Sequence, residues 1–361
     1  HDVLTEGFYN RLFAVPKRTG GWRPVLDVSA LNKYVILTPF TMESPKSVLA
    51  SIRRNDWMTS IDLKDAYFQV PVHPASRKYL RFVWRGTVYQ FKVLCFGLSS
   101  APQVFTRVFA QVAKWLRLVN IRILLYLDDW LVMSHSRQAV LADTQSVLDL
   151  SQVLGVHLNL GKSSLIPTMT SVYLGMVIDS HRFWVSPKEE RVVRFLSLLG
   201  DFLSCGAPCA KMWQQVLGHM VSLVPFVPYG RLRMRELQHH LHSRWDLVSN
   251  PRTTFIAVPE ACRLDLLWWA QGSRLRAGVS LALRRPTLAL FADASTQGWG
   301  ATLEGLEASG TWTLAESMLH INVLEIRAIS LALSRWQTLV AGRVVSVYSD
   351  NTTAVAYIKN Q

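Results

Sequence analysis

The chain has 361 residues, 50% of them hydrophobic, so it can bury a substantial core in two or three structural units. Lys and Arg number 39 against 25 Asp and Glu, and the resulting charge of +14 favours a polyanionic partner, first nucleic acid and second an acidic membrane surface. The four cysteines lack the spacing of a zinc site or a disulfide framework, and no apolar run reaches the roughly 18 residues of a membrane span, which excludes a secreted disulfide scaffold and a membrane-spanning protein.

The ends of the chain and its lack of a signal peptide give two further expectations. We expect an intracellular protein, cytoplasmic or nuclear and not secreted. The chain opens on His1 without a methionine and stops at Gln361 inside a predicted helix, so we expect a segment of a longer protein.

Hydrophobic periodicity predicts a mixed α/β fold in which the type of secondary structure changes along the chain. The first half alternates short strands with helices, among them strands at residues 57–63 and 87–93 and a helix at 101–118. Helices at 189–203 and 213–223 lead into a basic region, and strand character returns at residue 287. We therefore predict three units, residues 1–186, 187–286 and 287–361.

Two neighbouring aspartates, Asp128 and Asp129, lie between apolar runs at 121–127 and 130–133, which predicts a tight hairpin with both aspartates in its turn. An ordinary hairpin turn is one interpretation, since Asp favours turns. Two adjacent like charges, however, cost stability unless a cation neutralises them. Asp62 ends the predicted strand at 57–63 and is read alone as a cap or turn residue. Phosphoryl transfer needs carboxylates from separate strands on two Mg²⁺ ions about 4 Å apart, and Asp62 and Asp128 could supply them.

Five ordered segments resemble the motifs of reverse transcriptases: Ser60-Ile61-Asp62-Leu63-Lys64-Asp65-Ala66-Tyr67-Phe68, Phe96-Gly97-Leu98-Ser99-Ser100-Ala101-Pro102, Tyr126-Leu127-Asp128-Asp129, Leu158-Asn159-Leu160-Gly161-Lys162 and Tyr173-Leu174-Gly175. The sequences of these motifs are most similar to those of the DIRS-like retrotransposons, which encode a tyrosine recombinase. The resemblance implies a right-hand polymerase with fingers and palm, followed by a helical thumb and connection.

The resemblance also implies roles for individual residues of the polymerase site. Asp62 and Asp128 are the implied metal ligands, Asp129 is the third acid, and the carbonyl of Leu63 is a further ligand. Tyr67 is the implied steric gate against a ribose 2′-hydroxyl, with a core aromatic as the alternative.

Further residues are implied to bind the incoming nucleotide. They are Lys17 and Arg23 of a fingers hairpin, the backbone amides of Asp65 and Ala66, the Phe96-Gly97 loop, and Lys162 as a proton donor to pyrophosphate. Solvated basic side chains remain the alternative for Lys17 and Lys162.

A second set of acids follows residue 287. Asp293 ends a predicted strand at 288–292, Glu325 lies at the edge of the apolar face of a helix at 317–336, and Asp350 follows a strand at 344–348. Asp350 read alone is a helix N-cap. In this order the three acids resemble the metal-binding site of a ribonuclease H-like domain, whose last strand and terminal helix we expect to be missing.

The sequence therefore predicts an RNA-directed DNA polymerase of a retrotransposon, with an associated ribonuclease H-like domain. The implied cofactor is Mg²⁺ with Mn²⁺ as a substitute. The implied partners are an RNA template, a DNA primer, an RNA/DNA hybrid and deoxynucleoside triphosphates. The alternatives are a decayed or domesticated fragment that binds nucleic acid without chemistry and a cellular DNA-templated polymerase.

Overall fold

A computed structural model describes residues 7–17, 20–246, 248–282 and 285–359. The strands in chain order are β1 (Arg11–Pro16), β2 (Trp22–Asp27), β3 (Trp57–Asp62), β4 (Arg81–Trp84), β5 (Thr87–Gln90), β6 (Arg122–Tyr126), β7 (Asp129–Ser134), β8 (Ser164–Thr168), β9 (Thr170–Tyr173), β10 (Met176–Asp179), β11 (Trp184–Pro187), β12 (Val279–Ser280), β13 (Leu288–Ala294), β14 (Gly298–Leu303), β15 (Leu306–Thr311) and β16 (Val345–Tyr348).

The helices in chain order are α1 (Ser29–Asn32), α2 (Pro45–Ser51), α3 (Ala101–Leu118), α4 (Arg137–Val153), α5 (Glu189–Ser204), α6 (Ala210–Leu223), α7 (Arg235–Arg244), α8 (Glu260–Trp269), α9 (Gly272–Ala277), α10 (Leu314–Ser317), α11 (Ile321–Arg335), α12 (Gln337–Val340) and α13 (Thr352–Lys359). The predicted mixed α/β class is confirmed. None of the helices in the described ranges is long and apolar enough to cross a bilayer.

The chain folds into two compact units. The first comprises His1–Pro228 with Leu247–Leu281, and the second comprises Tyr229–Asp246 with Ala282–Gln361. The division into residues 1–186, 187–286 and 287–361 stays a prediction.

A four-stranded antiparallel sheet lies at the centre of the first unit, in the order β6-β7-β3-β8. Helix α3 packs on it because its apolar residues recur at helical spacing, and Phe105, Phe109 and Leu116 are buried in one core with Ile61 and Trp130 of the sheet. This core fixes the ends of β3 and β7, where the acidic residues lie.

The rest of the first unit contains smaller sheets and a helical region. The β1–β2 and β4–β5 hairpins are two-stranded, and β12-β11-β10-β9 form a further sheet. Within the helical region, Trp213 packs edge-on against Phe202 and Trp269 against Phe195, and all four rings are buried. Trp213 and Trp269 therefore pack in the core of this helical region.

The second unit contains a four-stranded sheet in the order β15-β14-β13-β16, in which β13 and β16 are parallel. Helix α11 covers one face of this sheet through Ile329 and Ala332, which pack with Leu290 and Leu303. Because parallel neighbours end at the same edge, Asp293 on β13 and Asp350 after β16 are brought together.

Several predicted element boundaries differ from the structure, and three of them are the largest differences. The strand expected at 87–93 ends at Gln90, and the helix expected at 213–223 begins earlier, at Ala210. The helix expected at 317–336 begins only at Ile321, as α11, because the backbone of His320 is extended and its ring accepts a 3.2 Å hydrogen bond from the Asn322 amide as the N-cap.

Candidate active site

The first acidic site is built by hydrogen bonding between β3 and the β6–β7 hairpin. Asp62, the last residue of β3, pairs directly with Asp129, the first residue of β7. The amide of Leu63 donates a 2.8 Å hydrogen bond to the Asp128 carbonyl, which continues the pairing past the strand end. Sheet register alone therefore brings the three predicted acids to one edge.

The turn of this hairpin differs from the expectation. Tyr126 pairs with Asp129, so the turn residues are Leu127 and Asp128, and placing Asp129 in the turn was wrong. Leu127 adopts a left-handed conformation with φ of 51°, which is uncommon for a residue with a Cβ. The sequence predicted that the first strand would run through Leu127. In the structure Leu127 lies in the turn and is partly buried against the core of the central sheet.

Two clefts meet at Asp62. The first cleft, of about 460 Å³, is lined by Asp62, Asp128 and Lys162 together with residues of the β1–β2 hairpin. The second cleft, of about 560 Å³, is lined by Asp62, Asp129 and Lys162 together with Tyr173 and residues of α5 and α6. Asp128 and Asp129 thus open into different clefts, while Asp62 and Lys162 belong to both.

The charges at this site disfavour ionised carboxylates in the absence of a cation. Burial, followed by the charges of Asp128 and Asp62, raises the pKa of Asp129 to about 6, and Lys162 opposes this shift. Burial also raises the pKa of Asp62, against the effect of Lys162. A divalent cation would relieve this repulsion, and carboxylate oxygens are the donors that Mg²⁺ takes.

The residues expected to bind nucleotide come together, with one exception. Lys17, Arg23, Leu63, Asp65, Ala66, Tyr67, Phe96 and Lys162 all line the first cleft. Lys17 forms a 2.9 Å ion pair with Asp65, and the guanidinium of Arg23 lies 4.4 Å from the centre of the Phe96 ring. The Tyr67 ring packs against Phe96, at 5.0 Å between centroids.

Gly97 is the exception, since it is not among the described residues that line the first cleft. Its φ is +107°, and a Cβ at this position would lie 2.1 Å from the Leu26 carbonyl oxygen. The adjacent Phe96 carbonyl accepts a 3.0 Å hydrogen bond from the Leu26 amide. The need for glycine here is explained by close packing against β2.

Three residues that hold the acids in place were missed by sequence reasoning, although two lie within the quoted motifs. The backbone N–H of Asn159 donates to the Asp62 carbonyl at 2.8 Å, and the Asn159 side chain acts to lower the pKa of Asp62. The Ser163 hydroxyl accepts from the Asp62 amide at 3.0 Å. The buried Tyr173 hydroxyl donates to the Asp129 carbonyl at 3.0 Å. The sequence carried no signal for these contacts beyond the motifs themselves.

The second acidic site lies in the second unit. One carboxylate oxygen from each of Asp293, Glu325 and Asp350 lies within 4.8 Å of the others, an arrangement that can hold a metal ion. Among the described residues, the three acids of the first site are not grouped this closely.

Glu325 is buried, with 3% of its surface exposed, so its predicted place at the edge of the apolar face was wrong. It faces the end of β13 rather than solvent, since its carboxylate lies close to those of Asp293 and Asp350. Burial, followed by the charge of Asp293, raises the pKa of Glu325. Ser349 also lies within hydrogen-bond distance of it, at 3.3 Å. A buried carboxylate beside two others fits a divalent cation.

Asp350 is not the N-cap of α13, because the neighbouring residue Asn351 occupies that position. The Asn351 side chain accepts a 2.9 Å hydrogen bond from the Ala354 amide at the start of α13. Asn351 therefore takes the cap position, and the Asp350 carboxylate lines the cleft that contains Asp293.

Comparison with known proteins shows what the part of the chain that contains the first site is similar to. Residues 15–178 match the family model described as reverse transcriptase (RNA-dependent DNA polymerase). This range contains Asp62, Asp128 and the lining of the first cleft. Residues 15–178 are thus similar to a reverse transcriptase domain.

The similar curated proteins are viral polyproteins. The chain is 23% identical over 368 residues to the enzymatic polyprotein of Figwort mosaic virus (strain DxS), which covers 95% of the chain and 50% of that protein. It is 24% identical over 317 residues to the Gag-Pol polyprotein of Gibbon ape leukemia virus, covering 80% of the chain and 18% of the relative. The chain thus spans half or less of the length of these relatives.

Solved structures show the same fold. The foamy viral protease-reverse transcriptase in complex with double-stranded DNA matches with a TM-score of 0.66 at 20% identity, over 98% of this chain and 71% of that one. The same viral protein in complex with an RNA/DNA hybrid matches with a TM-score of 0.65 at 19% identity, over 99% of this chain and 49% of that one.

Proposed function

We propose that this protein is an RNA-directed DNA polymerase that extends a DNA primer along an RNA template. The observation that carries the proposal is the joining of Asp62 to the Asp128-Asp129 hairpin by sheet register, at the edge of a cleft lined by Lys17, Arg23 and Tyr67. The nucleic acids bound by the foamy viral protein support a primer and template as partners.

The residues of the first cleft have different roles in nucleotide addition. Asp62 and Asp128 would hold Mg²⁺, or Mn²⁺ in its place, with the Leu63 carbonyl as a further ligand. The bound metal would polarise the reacting phosphate and lower the pKa of the primer hydroxyl. Arg23 and Lys17 bind the triphosphate, Tyr67 excludes a 2′-hydroxyl, and Lys162 donates a proton to pyrophosphate.

Deoxythymidine incorporation on poly(rA)/oligo(dT) with Mg²⁺ tests this proposal. Asp62→Asn removes a charged metal ligand and is expected to lower incorporation by at least about 100-fold. Asp149→Asn, on the exposed side of α4, is the matched control and should leave the rate unchanged. Hybrid binding without metal-dependent incorporation in the wild-type protein would favour the alternative of a domesticated binding fragment.

A second activity is favoured by the grouping of Asp293, Glu325 and Asp350. We infer that these acids hold divalent metal and that the second unit cleaves the RNA strand of an RNA/DNA hybrid. Glu325→Gln keeps the shape of the side chain and removes its charge, so cleavage of a labelled hybrid should stop. Cleavage that persists in this variant with Mg²⁺ would contradict the inference.

The amino-acid sequences of the motifs support an origin in a retrotransposon of the DIRS-like group. This origin predicts a tyrosine recombinase reading frame in the same element. Sequencing the genomic locus tests it, and an element with an integrase of another class would refute it.

A further inference from the structure

The β4–β5 hairpin carries a row of aromatic rings. Phe82 pairs with Tyr89 across the hairpin, and their rings stack at 5.6 Å between centroids with 19° between planes. Trp84 lies two residues after Phe82 and so on the same face, while Phe91 contacts Phe82 at the base. We call Phe91, Phe82, Tyr89 and Trp84 the aromatic row.

The aromatic row runs from the core into solvent. At its base, Phe82 and Phe91 pack against a buried cluster that contains Leu26 and Leu80. At its outer end, Trp84 is 55% exposed and Tyr89 is 47% exposed. The turn between the strands is formed by Arg85 and Gly86, both with positive φ, which suits a tight two-residue hairpin. The hairpin, packed on the core at its base, thus presents two large rings to solvent.

The charged residues in the stretch of sequence that contains the aromatic row are all basic. No aspartate or glutamate occurs between Ala66 and Leu127, a stretch that contains nine arginines and lysines. Arg85 is beside the exposed end of the row, with its guanidinium 5.8 Å from the centre of the Trp84 ring, and Lys78 lies 5.4 Å from the centre of the Tyr79 ring. A partner of this surface therefore meets cations interleaved with aromatic rings.

We propose that the aromatic row is a binding platform for single-stranded nucleic acid, whose bases stack on Trp84 and Tyr89 and whose phosphates contact Arg85. Exposed rings beside cations bind single strands without regard to sequence, since every base has a face to stack. Within the described part of the chain, neither cleft around Asp62 is lined by a residue of this hairpin. The platform is therefore separate from the proposed polymerase site, and its binding does not depend on catalysis.

Binding of the full chain to a labelled oligothymidylate of about 12 nucleotides tests the proposal by fluorescence anisotropy. Trp84→Ala and Tyr89→Ala should each weaken binding by about tenfold through lost stacking, with little change in salt dependence. Arg85→Gln should lower the slope of log affinity against log salt by about 0.7, the value for one phosphate contact. Trp84→Tyr, which keeps a ring, should retain most of the affinity.

Trp115→Ala is the matched control, because Trp115 is 51% exposed in the same acid-free stretch but lies on α3. It should bind the oligonucleotide as the wild type does. A blunt duplex of equal length should bind wild type and Trp84→Ala equally, since its bases are already stacked.

Three results would overturn the proposal. Equal oligonucleotide affinity in wild type and in the Trp84→Ala, Tyr89→Ala double variant would exclude stacking. Self-association that disappears in the double variant, with unchanged oligonucleotide binding, would assign the surface to a second copy of the chain. Binding to phosphatidylserine vesicles that depends on Trp84, with no dependence for the oligonucleotide, would assign it to a membrane.

Discussion

The proposed role of Tyr67 depends on how its ring is packed. Its ring is fixed between Phe96 and Phe105, at 5.0 and 5.8 Å between centroids, while its side chain also lines the first cleft. A ring held on two sides cannot move away from a 2′-hydroxyl. This rigidity is what a steric gate requires.

Removing the ring should relax the choice of sugar. Tyr67→Ala is expected to raise incorporation of ribonucleotides relative to deoxynucleotides by about tenfold or more. Tyr67→Phe keeps the ring and should discriminate as the wild type does. Competing incorporation of the two nucleotides measures this, and unchanged selectivity in Tyr67→Ala would exclude a gate.

Asp129 gives a pH dependence whose sign follows from its pKa. The folded pKa of about 6 exceeds the ordinary value of 3.8, so its contribution to stability is fully present below pH 3.8 and is lost as the pH rises through 6. In chelator, Asp129→Asn should therefore raise the unfolding temperature at pH 7 more than at pH 4. Asp149→Asn should show no such difference. An equal effect of Asp129→Asn at both pH values would contradict the shift.

At the scale of elements, the loop at Phe96-Gly97 and strand β2 depend on each other. The Leu26 amide donates to the Phe96 carbonyl, and Gly97 leaves no room for a Cβ beside the Leu26 carbonyl. The loop therefore positions Phe96, and Phe96 in turn lies beneath Arg23. A change at Gly97 should reach the first cleft through these contacts.

Gly97→Ala is expected to cost about 2 kcal/mol or more in stability and to weaken nucleotide binding, because the new Cβ would overlap backbone that cannot move aside. Gly86→Ala is the matched control: its φ is also positive, at +77°, but nothing lies within 4 Å of the added Cβ. It should cost about 1 kcal/mol from backbone strain alone. Equal losses in denaturant unfolding would show that conformation and not packing determines the need for glycine.

The sequence predicted elements well where a single periodicity governed them. Helix α3 has the predicted bounds, Ala101–Leu118, because its apolar face is continuous and buried on one sheet. The Asp128-Asp129 turn was misread because pairing of Asp62 with Asp129 extends β7 by one residue, a contact made by distant parts of the chain. The burial of Glu325 and the hydrogen bonds that Ser163 and Tyr173 form with Asp62 and Asp129 also depend on contacts between distant parts of the chain.

At the scale of the whole molecule, two acidic sites lie in two separate compact units. The proposed chemistry at each site depends on its own three acids, so a substitution in one unit should leave the activity of the other intact. Loss of one activity with retention of the other also shows that a variant is folded.

The most direct test of the central claim is nucleotide incorporation by Asp128→Asn on poly(rA)/oligo(dT) with Mg²⁺, measured beside RNA cleavage by the same preparation. The proposed mechanism predicts that incorporation falls by at least about 100-fold, since the hairpin loses a charged metal ligand, while cleavage of the hybrid continues. Incorporation at the wild-type rate in Asp128→Asn would contradict the assignment of this hairpin as the polymerase site.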